Sequence, residues 1–370
     1  YFANSQFGWA HITQIADITG VLGISFLLVL GNVAIFSLMK RRGWKPAACA
    51  IVLVATALVY GHFRMGSIEQ QMAEAKKLKV GMVQANIGMY EKHRDPRGAH
   101  DAYRRYSREL EEKGVELLVW PETAVTDPWL SEGDAFVPLE FEPFSVPLLT
   151  GMLLVDPSTQ PTRDYNVAAL IHPDRRISGI YRKQVLLMFG EYLPFGEYFP
   201  QMYDWLPTVG QFTPGKDSLP ISWNGMKIGT TICYEDILPR LVRRIMQHDP
   251  MLLTNLTNDS WFGDSTEPAV HLALATFRTI EHRRAMVRST NTGISAFIDP
   301  LGRIVAKAPQ YEAATLIGEV PLMTGTTLYT RFGDWLGWIS ILGVIIMIIT
   351  PPTPSLPCRQ AGYLKRGQRS

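Results

Sequence analysis

Three residues of different chemistry each stand just past a short apolar run. Glu122 closes L-L-V-W-P-E (117–122), Lys183 closes G-I-Y-R-K (179–183), and Cys233 closes G-T-T-I-C (229–233) and opens C-Y-E-D. A free thiol has a pKa of ~8.5, and a few per cent of it is thiolate at neutral pH. A base and a nearby cation raise that fraction. Attack of a thiolate on an ester carbonyl gives a tetrahedral oxyanion, where a preorganised donor is worth ~3–4 kcal/mol. Collapse leaves a thioester. Water as the second nucleophile makes the enzyme a hydrolase, and an amine makes it an N-acyltransferase; these residues alone leave both open. Taken singly each has a plainer reading, the Glu and Lys as solvated surface charges and the Cys as packing.

The elements that must position these groups read as alternating strands and helices. Strands are expected at 79–87, 116–122, 147–155, 165–171, 176–182, 226–233 and 251–257, followed by V-R-S-T, I-S-A-F-I-D and I-V-A-K joined by turns near 287–307. A charged stretch from His100 to Lys113 reads as a helix with Tyr103, Tyr106 and Leu110 on one face. A second helix begins after Ser265, Thr266, Glu267 and Pro268, runs to about Arg284 and buries Leu272, Thr276, Phe277 and Ile280. This pattern is that of a large α/β domain over 78–325. In open α/β sheets sites form where strands end, so one site can collect Glu122, Lys183 and Cys233. Residues 184–224 break the alternation with many aromatics and prolines and read either as a lid with apolar tips or as core.

Apolar segments flank this domain. Residues 18–39 form an uncharged run long enough for a membrane span, and 47–63 is shorter but also uncharged, so 1–65 reads as a membrane segment with two transmembrane helices. A third span is expected at 333–350, with Trp335 and Trp338 as interfacial anchors, and 351–370 as a cytoplasmic tail. Lys40, Arg41, Arg42 and Lys45 fall between the first two segments, and Arg359, Lys365, Arg366 and Arg369 follow the third. Positive residues in short loops stay in the cytoplasm, so both clusters place the middle domain outside. A lone thiol there must survive an oxidising space, which gives Cys233 a use, unless it is an inert buried cysteine.

Of 370 residues, 46% are hydrophobic and the formal net charge is +2, with no basic excess to hold nucleic acid. Three cysteines, at 49, 233 and 358, make neither a disulfide framework nor a C-x-x-C site, and the histidines lack zinc spacing, so neither metal nor cofactor is expected. The chain starts at Tyr1 with no signal-peptide pattern and reads as beginning inside a longer protein.

Together, P-E-T after an apolar strand, Y-R-K followed by F-G-E, and I-C-Y-E-D resemble the nitrilase superfamily, whose triad is Glu, Lys and Cys. The apolar helices, with Q-A-N-I (84–87), F-G-E-Y-L-P-F (189–195) and N-D-S-W-F-G (258–263), resemble more narrowly the apolipoprotein N-acyltransferases, from residue 18 to 350, as a member lacking its first several membrane helices. The resemblance implies an αββα sandwich flanked by transmembrane helices in a bacterial inner membrane, with the catalytic domain facing the periplasm. It implies Glu122 as general base, Cys233 as nucleophile, and Lys183 with the Tyr234 backbone N–H at the oxyanion. Glu191, Tyr234 and Glu235 match supporting active-site positions, and His93, Phe189, Tyr192 and Trp261 are substrate-binding candidates. One departure is His93, where the family usually has a tryptophan after Lys92. The implied donor is a glycerophospholipid, which a membrane-anchored enzyme can reach, and the acceptor is the amine of a lipoprotein's diacylglyceryl-cysteine. The alternatives are a membrane-tethered amidase or hydrolase and a non-catalytic lipoprotein-binding homologue; the intact Glu122, Lys183 and Cys233 argue against the latter.

Overall fold

A computed structural model of the chain describes residues 2–350, except 89–90, 92–93, 126–129, 132–134, 138–140 and 161. His93, Cys358 and the expected cytoplasmic tail therefore lie outside the described residues. The chain opens with helices α1 (Ala10–Thr13), α2 (Ala16–Thr19), α3 (Val21–Met39) and α4 (Lys45–Glu74). Strand β1 (Lys77–Gln84) precedes helix α5 (Pro96–Glu112), and β2 (Leu117–Val119), β3 (Leu130–Ser131), β4 (Leu148–Asp156), β5 (Arg163–Ile171) and β6 (Ile177–Arg182) follow. Then come α6 (Gln201–Trp205), β7 (Ile221–Trp223), β8 (Met226–Ile232), α7 (Pro239–Met246), β9 (Leu252–Thr257) and α8 (Glu267–His282). Strands β10 (Met286–Thr290), β11 (Ala296–Ile298), β12 (Ile304–Lys307) and β13 (Ala314–Pro321) lead to α9 (Leu328–Phe332) and α10 (Trp335–Ile349).

Among the described residues these strands make two sheets. One runs β13-β1-β2-β4-β5-β6, with β3 beside β4; the other runs β12-β11-β10-β9-β8-β7. Each has a parallel centre (β1-β2-β4, with β3 also parallel to β4, and β8-β9-β10), and the remaining strands are antiparallel. Alternation along the strands sorts the side chains into layers. Leu117 and Val119 join Met82, Leu149, Ile228, Ile232, Leu256 and Val287 between the sheets. Leu118 and Trp120 face the other way, toward Tyr103 and Leu110 of α5. Beyond the second sheet Leu253, Met286 and Ala296 pack against Val242 and Met246 of α7 and Leu272 and Ala275 of α8. The result is the expected helix–sheet–sheet–helix sandwich.

The helix starts have local causes. Asp95 accepts from the Gly98 N–H at 3.0 Å and Pro96 follows it, which caps α5. The second expected helix forms as α8 with Leu272, Thr276, Phe277 and Ile280 all buried, though its first residue has no side-chain cap. Several elements escaped the sequence reading, the short β3, α6 and α9 among them. Strand β7 lies inside the aromatic, proline-rich run, α7 is only eight residues long, and β13 is partly exposed with no clean alternation. The expected 18–39 span is broken at Gly20, whose φ of 63° lies in the left-handed region and whose missing Cβ makes room for the Tyr329 ring.

Helices α3 and α4 are long and apolar enough to cross a membrane, by length and composition. Helix α4 does not stop at Phe63 but continues to Glu74. At ~1.5 Å per residue its 30 residues reach about 45 Å, well beyond a hydrocarbon core of ~30 Å. The extra turns dock on the domain: Ile68 packs with Leu301 and Met323, and Glu69 pairs with Arg303 at 2.7 Å.

Candidate active site

Glu122, Lys183 and Cys233 each follow the end of a strand, β2, β6 and β8 respectively. All three side chains are buried. Lys183 Nζ lies 3.0 Å from Glu122 Oε1 and 2.9 Å from Glu191 Oε1, so one ammonium serves two carboxylates. Asn166, on β5, donates its amide to the same two oxygens at 2.8 and 3.0 Å. Both neighbours are acceptors, which fixes the amide with its nitrogen toward them. Glu191 Oε2 also accepts the Leu187 N–H at 2.8 Å, tying the start of the aromatic loop to the site. Glycine at 151 lets the Glu122 turn close over β4: a Cβ there would stand 2.5 Å from the Thr123 nitrogen and 2.6 Å from the Glu122 Cα.

Cys233 opens a 3-10 turn, Cys233–Ile237, with a φ of 55°. A left-handed non-glycine residue persists where its surroundings fix it. Burial, then the Glu122 charge, push the thiol pKa well up; Lys183 and the Thr257 hydroxyl pull the other way. Burial opposes the Lys183 charge, but Glu122, Cys233 and Glu191 outweigh it and hold its pKa well above the usual lysine value. The resting pattern is thus a thiol beside a permanently charged ammonium. Such a group can lose its proton to a carboxylate as it attacks, while the ammonium stands ready for a developing negative oxygen.

The residues after Cys233 hold the site together. Glu235 takes four donors, the Ile232 N–H (2.9 Å), the Tyr181 hydroxyl (2.8 Å), and the Gln184 (2.7 Å) and Val185 (2.9 Å) N–H groups. It therefore clamps the residue before Cys233 to the residues after Lys183. The Tyr234 ring lies 5.8 Å from Lys183 Nζ, and its hydroxyl donates to the Leu186 carbonyl at 2.8 Å. Of the substrate-binding candidates, Phe189 and Trp261 are exposed and Tyr192 is half-buried, its carbonyl accepting the Phe189 N–H at 2.8 Å.

The sequence reading missed Asn166, and with it Asn255, Asp236, Asp259, His271 and Arg288, all buried behind the Cys233 turn. The signal was a polar residue in the middle of an apolar strand, as in D-Y-N-V-A-A-L-I (164–171) and L-L-T-N-L-T (252–257). Asp259, Glu267 and His271 bring one ligand atom each within 4.8 Å of one another. Both His271 ring nitrogens already face carboxylates, and the Arg288 guanidinium reaches Asp259, so a metal ion would sit against a fixed cation.

Two sheets with Glu122, Lys183 and Cys233 at their strand ends are the setting in which the carbon-nitrogen hydrolase family profile matches, over residues 79–328. The same fold occurs in Saccharomyces cerevisiae Nit3, a nitrilase-superfamily member, at a TM-score of 0.51 and 19% identity over 66% of this chain and 90% of that one. Among curated relatives, the apolipoprotein N-acyltransferase of Geobacter metallireducens is 32% identical over 93% of this chain and 68% of its own length. That of Bdellovibrio bacteriovorus is 33% identical over 92% of this chain and 67% of its own. The chain belongs to the apolipoprotein N-acyltransferase family.

Proposed function

We propose that the protein is a membrane-anchored N-acyltransferase moving a fatty acyl chain from a phospholipid, through a thioester on Cys233, to the N-terminal amine of a bacterial lipoprotein's diacylglyceryl-cysteine. The observation that carries this reading is the buried Lys183 ammonium, shared by Glu122 and Glu191 beside the Cys233 thiol. Glu122 takes the thiol proton as sulfur attacks the donor's ester carbon. Lys183 and the Tyr234 N–H stabilise the oxyanion. Collapse breaks the ester C–O bond, the lysophospholipid oxygen leaves with the proton held by Glu122, and a thioester remains. The acceptor amine then attacks the thioester carbon, gives its proton to Glu122 and expels the sulfur, which regains that proton. The cycle is ping-pong.

Transfer rather than hydrolysis is supported by the surroundings of Glu191. The loop carrying it exposes Met188, Phe189, Phe195, Phe199 and Trp205. An apolar rim of this kind suits a lipid surface and keeps water from the thioester. The basic residues between α3 and α4, Lys40, Arg41 and Arg42, favour an orientation with the α3–α4 connection in the cytoplasm and the catalytic domain on the periplasmic side of the inner membrane. His93, Phe189, Tyr192 and Trp261 are assigned to substrate binding on the resemblance.

Mass spectrometry of the full chain after incubation with glycerophospholipid vesicles tests the proposal. One acyl increment on Cys233 is expected, absent in Cys233→Ala and discharged to an amide by a diacylglyceryl-cysteine peptide. An adduct that only water discharges would make the protein a hydrolase, and no adduct at all would remove the nucleophile assignment.

A further inference from the structure

The turn that carries Cys233 is held from a second side, away from Lys183. Asp236, next to the Glu235 clamp, places Oδ1 2.9 Å from His271 Nε2 and Oδ2 against Arg288 Nη1. Asp259 takes the other side of both, with Oδ1 3.2 Å from His271 Nδ1 and Oδ2 3.4 Å from Arg288 Nη2. All four side chains are buried. A ring with a carboxylate at each nitrogen is doubly protonated. Burial and Arg288 pull the His271 pKa down, but Asp236 and Asp259 prevail and raise it to about 9. Two anions and two cations then balance in the interior.

This square reaches the nucleophile through one amide. Arg288 Nη1 donates to Asn255 Oδ1 at 2.8 Å, and Asn255 Nδ2 donates to the Cys233 carbonyl at 2.9 Å and to Thr231 Oγ1 at 3.2 Å. Arginine has no acceptor, so Asn255 must turn its oxygen to Arg288 and its nitrogen to Cys233. In a planar trans peptide the carbonyl and the following N–H point in opposite directions. Pinning the Cys233 oxygen toward β9 therefore turns the Tyr234 N–H away from β9.

We propose that Asn255 and Arg288, backed by His271 and Asp236, are positioning residues that set the plane of the Cys233–Tyr234 peptide and so aim the Tyr234 N–H at the oxyanion. None of them touches the reacting atoms. The inference rests on the acyl-enzyme reading above and concerns only the step in which negative charge builds on oxygen. It separates two reactions of the same sulfur. Acylation passes through an oxyanion, whereas alkylation by iodoacetamide does not.

The test measures both on the full chain in detergent, using the p-nitrophenolate burst from a p-nitrophenyl acyl ester and the rate of iodoacetamide labelling of Cys233. In Asn255→Ala the burst rate at saturating ester is expected to fall on the order of 10²-fold, the loss typical of one oxyanion donor. The half-saturating ester concentration and the alkylation rate stay within about threefold, since neither needs the aimed N–H. Arg288→Lys, which keeps the charge but not the fork, falls by an intermediate factor. Asn255→Asp retains a partner for Arg288, so it folds even where the alanine variant does not; lacking the donor, it is expected to lose the burst equally. A burst within about threefold of wild type in a folded Asn255 variant overturns the inference, as does a parallel loss of burst and alkylation, which would mean a damaged thiol rather than a misaimed donor. Failure of the wild type itself to give a burst would instead strike the acyl-enzyme reading.

Discussion

A thiol held in its protonated form by burial and by the Glu122 carboxylate must part with its proton during attack, not before it. Removing the acceptor alone is therefore costly: Glu122→Gln is expected to slow Cys233 acylation ~10²–10⁴-fold, measured as single-turnover thioester formation. Lys183→Met should do more than weaken the oxyanion site. It leaves Glu122 and Glu191 without their shared cation, and breaking a buried pair costs ~3–5 kcal/mol, so a lower melting temperature should accompany the lost activity. A melting temperature equal to wild type would show that the two carboxylates do not both depend on Lys183. Glu122, Lys183 and Cys233 stood out in the sequence because each follows an apolar strand and because their motifs, taken together, resemble one family. Asn166 and Asn255 were not legible, because an amide inside a strand has meaning only once its partners from distant strands are known.

At the scale of elements, the site depends on turns that fit into one another. Gly151→Ala would drive a methyl group into the backbone at Glu122 and Thr123, which cannot swing aside as a side chain can. Activity is expected to fall at least ~10-fold, as a displacement of about 1 Å commonly costs more than that, with the enzyme still folded on a thermal melt. The Glu235 clamp gives a pH prediction. Burial raises its pKa to about 7, against the pull of the Val185 and Ile232 N–H groups, the Lys183 charge and the Tyr181 hydroxyl. Below that pH the carboxylate becomes an acid and receives those donors poorly, so activity should decline on acidification through about 7 in wild type, while Glu235→Gln is low and flat. Stability takes the opposite sign. The folded state binds this proton more tightly than the unfolded chain, so the group's contribution is fully present at low pH and is lost as pH rises toward 7. A melting temperature that fell together with activity would point to general acid unfolding instead. Periodicity revealed the long strands and α5 and α8, whereas β13 went unseen because A-T-L-I-G-E-V-P carries no clean alternation, although Leu316 and Val320 pack between the sheets and Ile317 on the other side.

The whole molecule is joined at Asp17. Its carboxylate receives Arg64 from α4 at 2.8 Å, Arg283 from the end of α8 at 2.9 Å and the Tyr60 hydroxyl at 2.8 Å, binding the apolar helices to the sandwich. Arg283 sits at a φ of 52°, an uncommon conformation held by bonds to Asp17, Gln14 and Pro300. Asp17→Asn should strand two arginines and lower stability by ~3 kcal/mol or more, read as earlier thermal unfolding in detergent; an unchanged transition would mean that the other contacts, such as Glu69 with Arg303, suffice to hold the helices. The two-helix segment was evident from composition, but this joint was not, since a lone acid near an apolar run gives no hint of its partners. The pairing of β1 with β13, in register from Lys77 opposite Pro321 to Gln84 opposite Ala314, has a further consequence. Strand β1 is made long before β13, so during synthesis that edge of β1 stays without its ladder until residues 314–321 have left the ribosome. Such late, long-range closure is slow, which leaves the nascent domain open to proteases and chaperones until that strand arrives.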